Sequence, residues 1–251
     1  EANPRASRTV PFVAKATGVP LATVASRVMV GATLIELREE GLLTERVISD
    51  HVAIKEAVLP FNRFPEADAI LGPEMRSTGE VMGIDLTRGL AFVKAQLAAG
   101  TRLPDEGMVF MSLADRDKRV GIAAAQKLVG LGFTIAATSG TAAALQDEGV
   151  AVEHVVAKLG DADGVHAVDL IERGDVHLVI NSPRGRGPRA DGEHIRKAAG
   201  LASVPLLTTG AAALAAANGM ADWKAHPLAV RSLQEYHVGA SVNDLEKNGV
   251  S

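Results

Sequence analysis

A run of hydroxyl-bearing and small residues, Thr138-Ser-Gly-Thr141, stands where a predicted strand gives way to a predicted helix. The backbone N–H groups of a first helical turn have no partner within the helix, and the positive end of the helix dipole lies behind them. Gly140 allows an anion to approach the backbone, and Thr138 and Thr141 add hydroxyl donors. The run therefore favours a phosphate site, and a threonine N-cap on a structural turn is the alternative.

Two lysines could bring positive charge to the same place. Lys118 follows the first strand predicted for this half of the chain, and Lys158 follows the third. The loop that begins at Asn181 follows the fourth strand and carries three arginines. Ligands of parallel sheets bind where the carboxyl ends of the strands meet, so these side chains could converge on one crevice. Solvated surface charges are the alternative for each lysine and for the loop.

A second group of candidate residues opens the sequence. Glu1 and Asn3 alternate on an extended segment, so their side chains face one way. A carboxylate and an amide oxygen suit Mg²⁺, and Arg5 and Arg8 could neutralise phosphoryl oxygens. Solvated terminal charges are the alternative. Because no initiator Met is present, we expect the sequence to be a fragment of a longer polypeptide.

The segment from Val13 to Val28 imitates a helix-turn-helix DNA reader. Few basic residues flank it, and its second helix offers mainly Arg27. The whole chain has 26 basic and 30 acidic residues and only 3% aromatic residues. A clustered basic face and stacking aromatics are therefore missing, and we expect no nucleic acid partner.

Composition also limits the class of protein. The 251 residues include no cysteine, so a disulfide framework and a thiolate zinc site are excluded. No apolar run approaches the ~20 residues of a membrane span, and no secretory leader is recognisable. We expect a cytoplasmic protein without a membrane partner.

The elements that would position these residues differ between the two parts of the chain. Residues 1–100 are predicted to be mostly helical, with a helix capped by Thr33, a strand over 51–60, a Pro/Gly-rich connection over 71–81 and a helix over 86–98. Residues 99–107 are the best linker candidate. Beyond them, apolar runs alternate with helices, and this pattern predicts an α/β domain with a doubly wound, five-stranded parallel sheet. The predicted strands cover 108–113, 133–137, 154–157, 177–180 and 203–207.

The first 21 residues, Glu1-Ala-Asn-Pro-Arg-Ala-Ser-Arg onward, resemble the large chain of carbamoyl phosphate synthetase very closely. Val58-Leu-Pro-Phe-Asn-Arg-Phe-Pro and the Gly-Pro-Glu-Met-Arg-Ser-Thr-Gly run beginning at Gly72 are similar to the same family. The resemblance continues through the Thr138–Thr141 region to about His237. It implies the C-terminal end of that large chain.

The resemblance implies that residues 1–100 are the tail of the second ATP-grasp unit, which phosphorylates carbamate. Glu1 and Asn3 match the family's metal ligands, Arg5 matches its phosphate-contacting arginine, and Arg8 supports it. ATP and Mg²⁺ (or Mn²⁺) are the implied cofactors. A glutaminase small subunit and the rest of the large chain are the implied partners, and the full enzyme is expected to be an oligomer. The isolated fragment is expected to be inactive.

The resemblance further implies that residues 104–251 form an allosteric domain similar in fold to methylglyoxal synthase. In the family this domain binds nucleoside monophosphates, with UMP as inhibitor and IMP as activator. The matching positions are Lys118, Thr138, Gly140, Thr141, Lys158 and Asn181. Glu56 and Thr208 match an ornithine-type effector site.

Two departures from the family pattern weaken parts of this assignment. Ser182 and Pro183 stand where two threonines are expected, and Leu206 stands where a tyrosine belongs to the ornithine pocket. We therefore expect weak or absent ornithine regulation. A methylglyoxal-synthase-like lyase acting on dihydroxyacetone phosphate is the alternative function, and Asp115 and Asp191 are its only candidate catalytic carboxylates.

Overall fold

The computed structural model of the chain describes residues 6–43, 50–64, 68–70, 76–157, 164–183 and 190–238. These residues form an α/β structure with two sheets, one antiparallel with two strands and one parallel with five. The fold class expected from the sequence is confirmed.

Three short helices open the described chain: α1 Thr9–Thr17, α2 Leu21–Met29 and α3 Leu34–Glu39. The turn after α1 contains Gly18 at φ +73°, a left-handed conformation that glycine adopts without steric cost. The predicted cap of α3 is present: the Thr33 hydroxyl accepts from the Glu36 N–H, and the Glu36 carboxylate accepts from the Thr33 N–H. This reciprocal pair is a capping box, which fixes where α3 begins.

An antiparallel pair of strands follows, β1 Val52–Val58 and β2 Gly79–Asp85, and helix α4 Arg88–Ala98 packs across it. The assignment of 71–81 to a connection was wrong at its end, because β2 begins at Gly79. Two glycines weaken the strand pattern of β2. Gly83 is needed there because a Cβ would overlap the Ala91 carbonyl oxygen of α4.

The five predicted parallel strands are present and lie in the order β5-β4-β3-β6-β7. Their bounds are β3 Met108–Ser112, β4 Thr134–Thr138, β5 His154–Val156, β6 Val176–Asn181 and β7 Leu206–Leu207. The last strand is shorter than the predicted 203–207. Ser203 has a positive φ of 56°, so it belongs to the turn that precedes the strand.

Five helices cover the two faces of this sheet: α5 Asp115–Gly130, α6 Ser139–Asp147, α7 Ala167–Glu172, α8 Ala190–Leu201 and α9 Gly210–Ala225. Alternate residues of each strand enter opposite cores. Val109 and Met111 of β3 pack with α5, α6 and α9, whereas Phe110 packs with α7 and α8. The sheet is therefore buried on both sides and doubly wound.

Helix α4 also packs against α9, which joins the N-terminal elements to the parallel sheet. The two helices approach closely because glycines face the contact, with Gly219 beside Val93. The Thr87 hydroxyl donates to the Asp222 carboxylate at 2.7 Å. The last described helix, α10 Leu233–His237, reaches α1 through a His237 Nε2–Lys15 carbonyl contact of 2.8 Å.

Candidate functional site

Three neighbouring strands of the parallel sheet end at the edge where the candidate phosphate residues lie. Ser112 of β3 is paired with Asn181 of β6, and Met111 is paired with Ala137 of β4, one residue before Thr138. The connections that follow lead directly into α5 and α6. The topology therefore brings Thr138, Thr141 and Asn181 to one edge of the sheet.

Thr141 lies in the first turn of α6, and its side chain is fully buried. Its hydroxyl oxygen accepts from the Leu113 N–H at 2.9 Å and from the Thr138 hydroxyl at 3.1 Å. Thr138 makes no capping hydrogen bond with the helix that it precedes. The Thr138 side chain therefore leaves the first-turn N–H groups of α6 uncapped, a condition that favours an external anion. The reading of Thr138 as an ordinary N-cap is not supported.

Asn181 is held by a guanidinium that the sequence did not indicate. Its side-chain oxygen accepts from Arg196 Nη1 at 2.7 Å. Arg196 lies on α8 and also forms two 2.6 Å hydrogen bonds with the Asp68 carboxylate. The only signal in the sequence is a charged residue on the apolar face of a helix, between Ile195 and Ala199.

The departures at 182 and 183 have structural roles. The Ser182 hydroxyl accepts from the Ala114 N–H at 2.8 Å, just before α5, and the Pro183 carbonyl accepts from Arg116 at 2.7 Å. The Ser182 oxygen thus already accepts a hydrogen bond from the connection between β3 and α5.

The positive charge of Lys118 is balanced locally. Its amine lies 2.9 Å from the Asp115 carboxylate, one turn away on α5. The Asp115 side chain is 85% exposed, which is a poor environment for a catalytic carboxylate of a lyase. Lys158, the arginines of loop 184–189 and the side chain of Asp191 lie outside the described residues.

The two candidate ornithine residues lie on separate elements. Glu56 sits on β1, and burial raises its pKa, opposed by hydrogen bonds with the Ala57 N–H and the Gln96 side chain. Thr208 follows β7 and is partly buried. Helix α4 contacts both β1 and α9, the helix that starts just after Thr208.

The candidate metal and catalytic residues belong to the first eight positions of the sequence. Glu1, Asn3 and Arg5 lie outside the described residues. Arg8 precedes α1, is exposed, and donates to the Ser77 hydroxyl at 3.5 Å. Within the described ranges, no three acidic or histidine side chains cluster as a metal site.

The candidate DNA-reading segment forms two helices, α1 and α2, joined at Gly18. Arg27, its main basic residue, pairs with both carboxylate oxygens of Glu40 at 2.7 and 2.8 Å. That charge is therefore already compensated within the chain. In the described part of the chain, no helix is long and apolar enough to span a membrane.

Comparison with known proteins identifies relatives of this chain. The model of the MGS-like domain matches residues 121–208, which include β4 to β7. The chain is 50% identical over 236 residues to the carbamoyl phosphate synthase large chain of Synechocystis sp. (94% of this chain, 21% of that protein). It is 49% identical over 260 residues to the large chain of Beutenbergia cavernae (98% and 23%) and over 253 residues to that of Mycobacterium tuberculosis (94% and 23%).

The chain spans between a fifth and a quarter of the length of these curated relatives. The resemblance noted in the sequence extends over nearly the whole chain. The chain is therefore a relative of the carbamoyl phosphate synthase (synthetase) large chain, and it contains an MGS-like domain.

Proposed function

We propose that this chain is the regulatory and part of the catalytic region of a carbamoyl phosphate synthase large chain. Residues 104–251 would form the effector domain, and residues 1–100 would be the tail of the second ATP-grasp unit. The effector would be a nucleoside monophosphate of the UMP or IMP type. It would bind at Lys118, Thr138, Gly140, Thr141, Lys158 and Asn181.

The observation that carries this proposal is the convergence of Thr138 and Asn181 at one sheet edge beside the uncapped start of α6. A phosphate there would accept from backbone N–H groups of the first turn and from the Thr138 hydroxyl, which would turn to it from Thr141. The Asn181 oxygen is already bonded to Arg196, so its NH₂ group remains to donate to the ligand. Ligands of open parallel sheets bind at the carboxyl ends of the strands, which supports the same edge as the ligand site.

The activity proposed for the whole enzyme is the synthesis of carbamoyl phosphate from two ATP, bicarbonate and ammonia, for pyrimidine and arginine biosynthesis in the cytoplasm. Ammonia would come from a glutaminase small subunit, and the full enzyme would be an oligomer. Glu1 and Asn3 would hold Mg²⁺ or Mn²⁺, which would neutralise phosphoryl charge when bound. Arg5 and Arg8 would contact phosphate. The chain by itself is not expected to synthesise carbamoyl phosphate.

Calorimetric titration of the 251-residue chain with UMP tests the effector site. We expect saturable binding that weakens at least five-fold in Thr138→Ala, because one donor to the phosphate is lost. Thr134→Ala is the matched control, since Thr134 is an exposed threonine at the opposite end of the same strand. Equal affinity of Thr138→Ala and wild type would contradict the proposed site, and no binding of UMP or IMP would contradict the proposed function.

Two further measurements separate the related alternatives. The loss of the expected tyrosine at Leu206 predicts that ornithine changes the activity of the full-length enzyme little; strong activation would contradict this. Methylglyoxal formation from dihydroxyacetone phosphate would instead support the lyase alternative. We expect none, because Asp115 is exposed and paired with Lys118.

A further inference from the structure

We propose that Arg196 is a positioning residue of the nucleotide site and that Asp68, from outside the parallel-sheet domain, sets its orientation. The inference rests on the proposed function and adds a regulatory link to it. The carboxamide of Asn181 is the point at which this link would meet the ligand.

All three nitrogens of the Arg196 guanidinium donate hydrogen bonds. Nε and Nη2 donate to the two oxygens of Asp68, each at 2.6 Å, and Nη1 donates to the Asn181 oxygen at 2.7 Å. Such parallel N–H···O bonds to a carboxylate fix the plane of the guanidinium. The Arg196 side chain is 5% exposed, so water does not compete for these donors.

This arrangement decides which way the Asn181 amide points. The guanidinium only donates, so the amide must present its oxygen to Arg196 and turn its NH₂ group away. A flipped amide would place the Asn181 NH₂ group against the N–H groups of Arg196, so that donors would face donors within a buried site. Asn181 is 3% exposed, and its NH₂ group is thereby kept as a donor for a phosphate, ribose or base oxygen.

Asp68 supplies the compensating charge. A buried guanidinium is costly unless it is paired, and Arg196 lies among the apolar residues Ile195, Ala198 and Ala199 of α8. Burial raises the pKa of Asp68, but hydrogen bonds and charge from Arg196, with backbone N–H groups, outweigh it and lower the pKa overall. The carboxylate therefore stays ionised at neutral pH and keeps the pair intact.

The link crosses the proposed domain boundary. Asp68 lies between β1 and β2, 128 residues before Arg196, whereas Asn181 ends β6. A displacement of the 68–70 segment would change the angle of the guanidinium and hence the orientation of the Asn181 amide. Conversely, a ligand bound to Asn181 would favour the position of Asp68 seen here, because coupling between two sites is reciprocal.

The first test compares UMP affinity in Asp68→Asn, Arg196→Lys and wild type by calorimetry on the 251-residue chain. We expect Asp68→Asn to bind UMP about 5- to 10-fold more weakly, within the usual range of coupling between sites. Glu40→Gln is the matched control, because Glu40 forms the same two-bond contact with Arg27 on α2. Arg196→Lys should lose at least as much affinity. If Arg196→Lys does not fold, the affinity of Asp68→Asn decides the test.

The second test needs no ligand. The side-chain NH₂ resonances of Asn181, assigned through their loss in Asn181→Ala, should shift in Asp68→Asn and stay unchanged in Glu40→Gln. Unchanged resonances, or unchanged UMP affinity in Asp68→Asn, would overturn the inference and leave the proposed function standing. Absence of UMP and IMP binding by the wild type would overturn both.

Discussion

The hydroxyl oxygen of Thr141, in the first turn of α6, lies 2.9 Å from the backbone nitrogen of Leu113, just beyond the end of β3. This hydrogen bond ties the start of one helix to the neighbouring strand, and the whole Thr141 side chain is buried. Thr141 therefore fixes the shape of the candidate phosphate site whether or not it contacts a ligand.

We expect Thr141→Val to destabilise the fold by about 1–3 kcal/mol, because the buried Leu113 N–H loses its acceptor. Thr141→Ser should retain most of the stability, since it keeps the hydroxyl. Urea unfolding of the three proteins measures the difference, with Thr134→Val as the exposed control on β4. A Thr141→Val protein as stable as wild type would show that the hydrogen bond contributes nothing.

The contact between β2 and α4 predicts a strong effect of one glycine and a weak effect of another. A Cβ at Gly83 would overlap the backbone of Ala91 and Ala95, whereas nothing lies within 4 Å of a Cβ at Gly79. Gly83→Ala should therefore cost about 1–3 kcal/mol or more through overpacking, and Gly79→Ala should be close to neutral. Thermal unfolding of both variants checks this; equal midpoints would mean that α4 moves away at little cost.

The stabilising effect of Asp68 should disappear in acid. Burial raises its pKa in the folded chain, but the hydrogen bond and charge of Arg196, together with hydrogen bonds from backbone N–H groups, outweigh burial and bring the pKa below the ordinary value. A carboxyl group whose pKa is lowered by folding stabilises the fold above its unfolded pKa of about 4. This stability is lost as pH falls through the folded pKa. We expect Asp68→Asn to be less stable than wild type at pH 7 and to approach it below pH 4. A difference that does not depend on pH would contradict the ionic origin.

Glu56 should show the opposite sign. Burial raises its pKa in the folded chain, so ionisation opposes folding. The stability that goes with the protonated form is present below the unfolded pKa of about 4.3 and is lost as pH rises through the folded pKa. We expect Glu56→Gln to be more stable than wild type at pH 7, with the two proteins converging below pH 4. Denaturant unfolding across this range measures it, and a less stable Glu56→Gln at pH 7 would contradict the prediction.

Much of the fold was predictable because local patterns and tertiary packing agree. The apolar runs at β3, β4 and β6 are buried on both faces, as expected for parallel strands, and Thr33 caps α3 through local contacts. Strand β2 was missed because Gly79 and Gly83 dilute its pattern. Gly83 is required because α4 packs closely on β2 at this position, and a sequence pattern does not show how closely two elements pack.

The candidate site was predictable only where it follows strand ends. Thr138 and Asn181 meet because parallel strands place their carboxyl ends together. The interaction between Asp68 and Arg196 spans 128 residues and joins a connection to a helix face. No local spacing encodes it. Likewise, the engagement of Thr141 with Leu113 depends on how α6 sits against β3.

Helix α4 has a consequence for how the chain unfolds. Its Val93 belongs to the main core of the parallel sheet, while Leu90 packs with Leu86 and Tyr236 in a separate cluster. Loss of either cluster would remove packing from the same helix and so weaken the other. The N-terminal elements that pack on α4 and the parallel sheet should therefore melt in a single cooperative transition, even though the sequence divides them into two units.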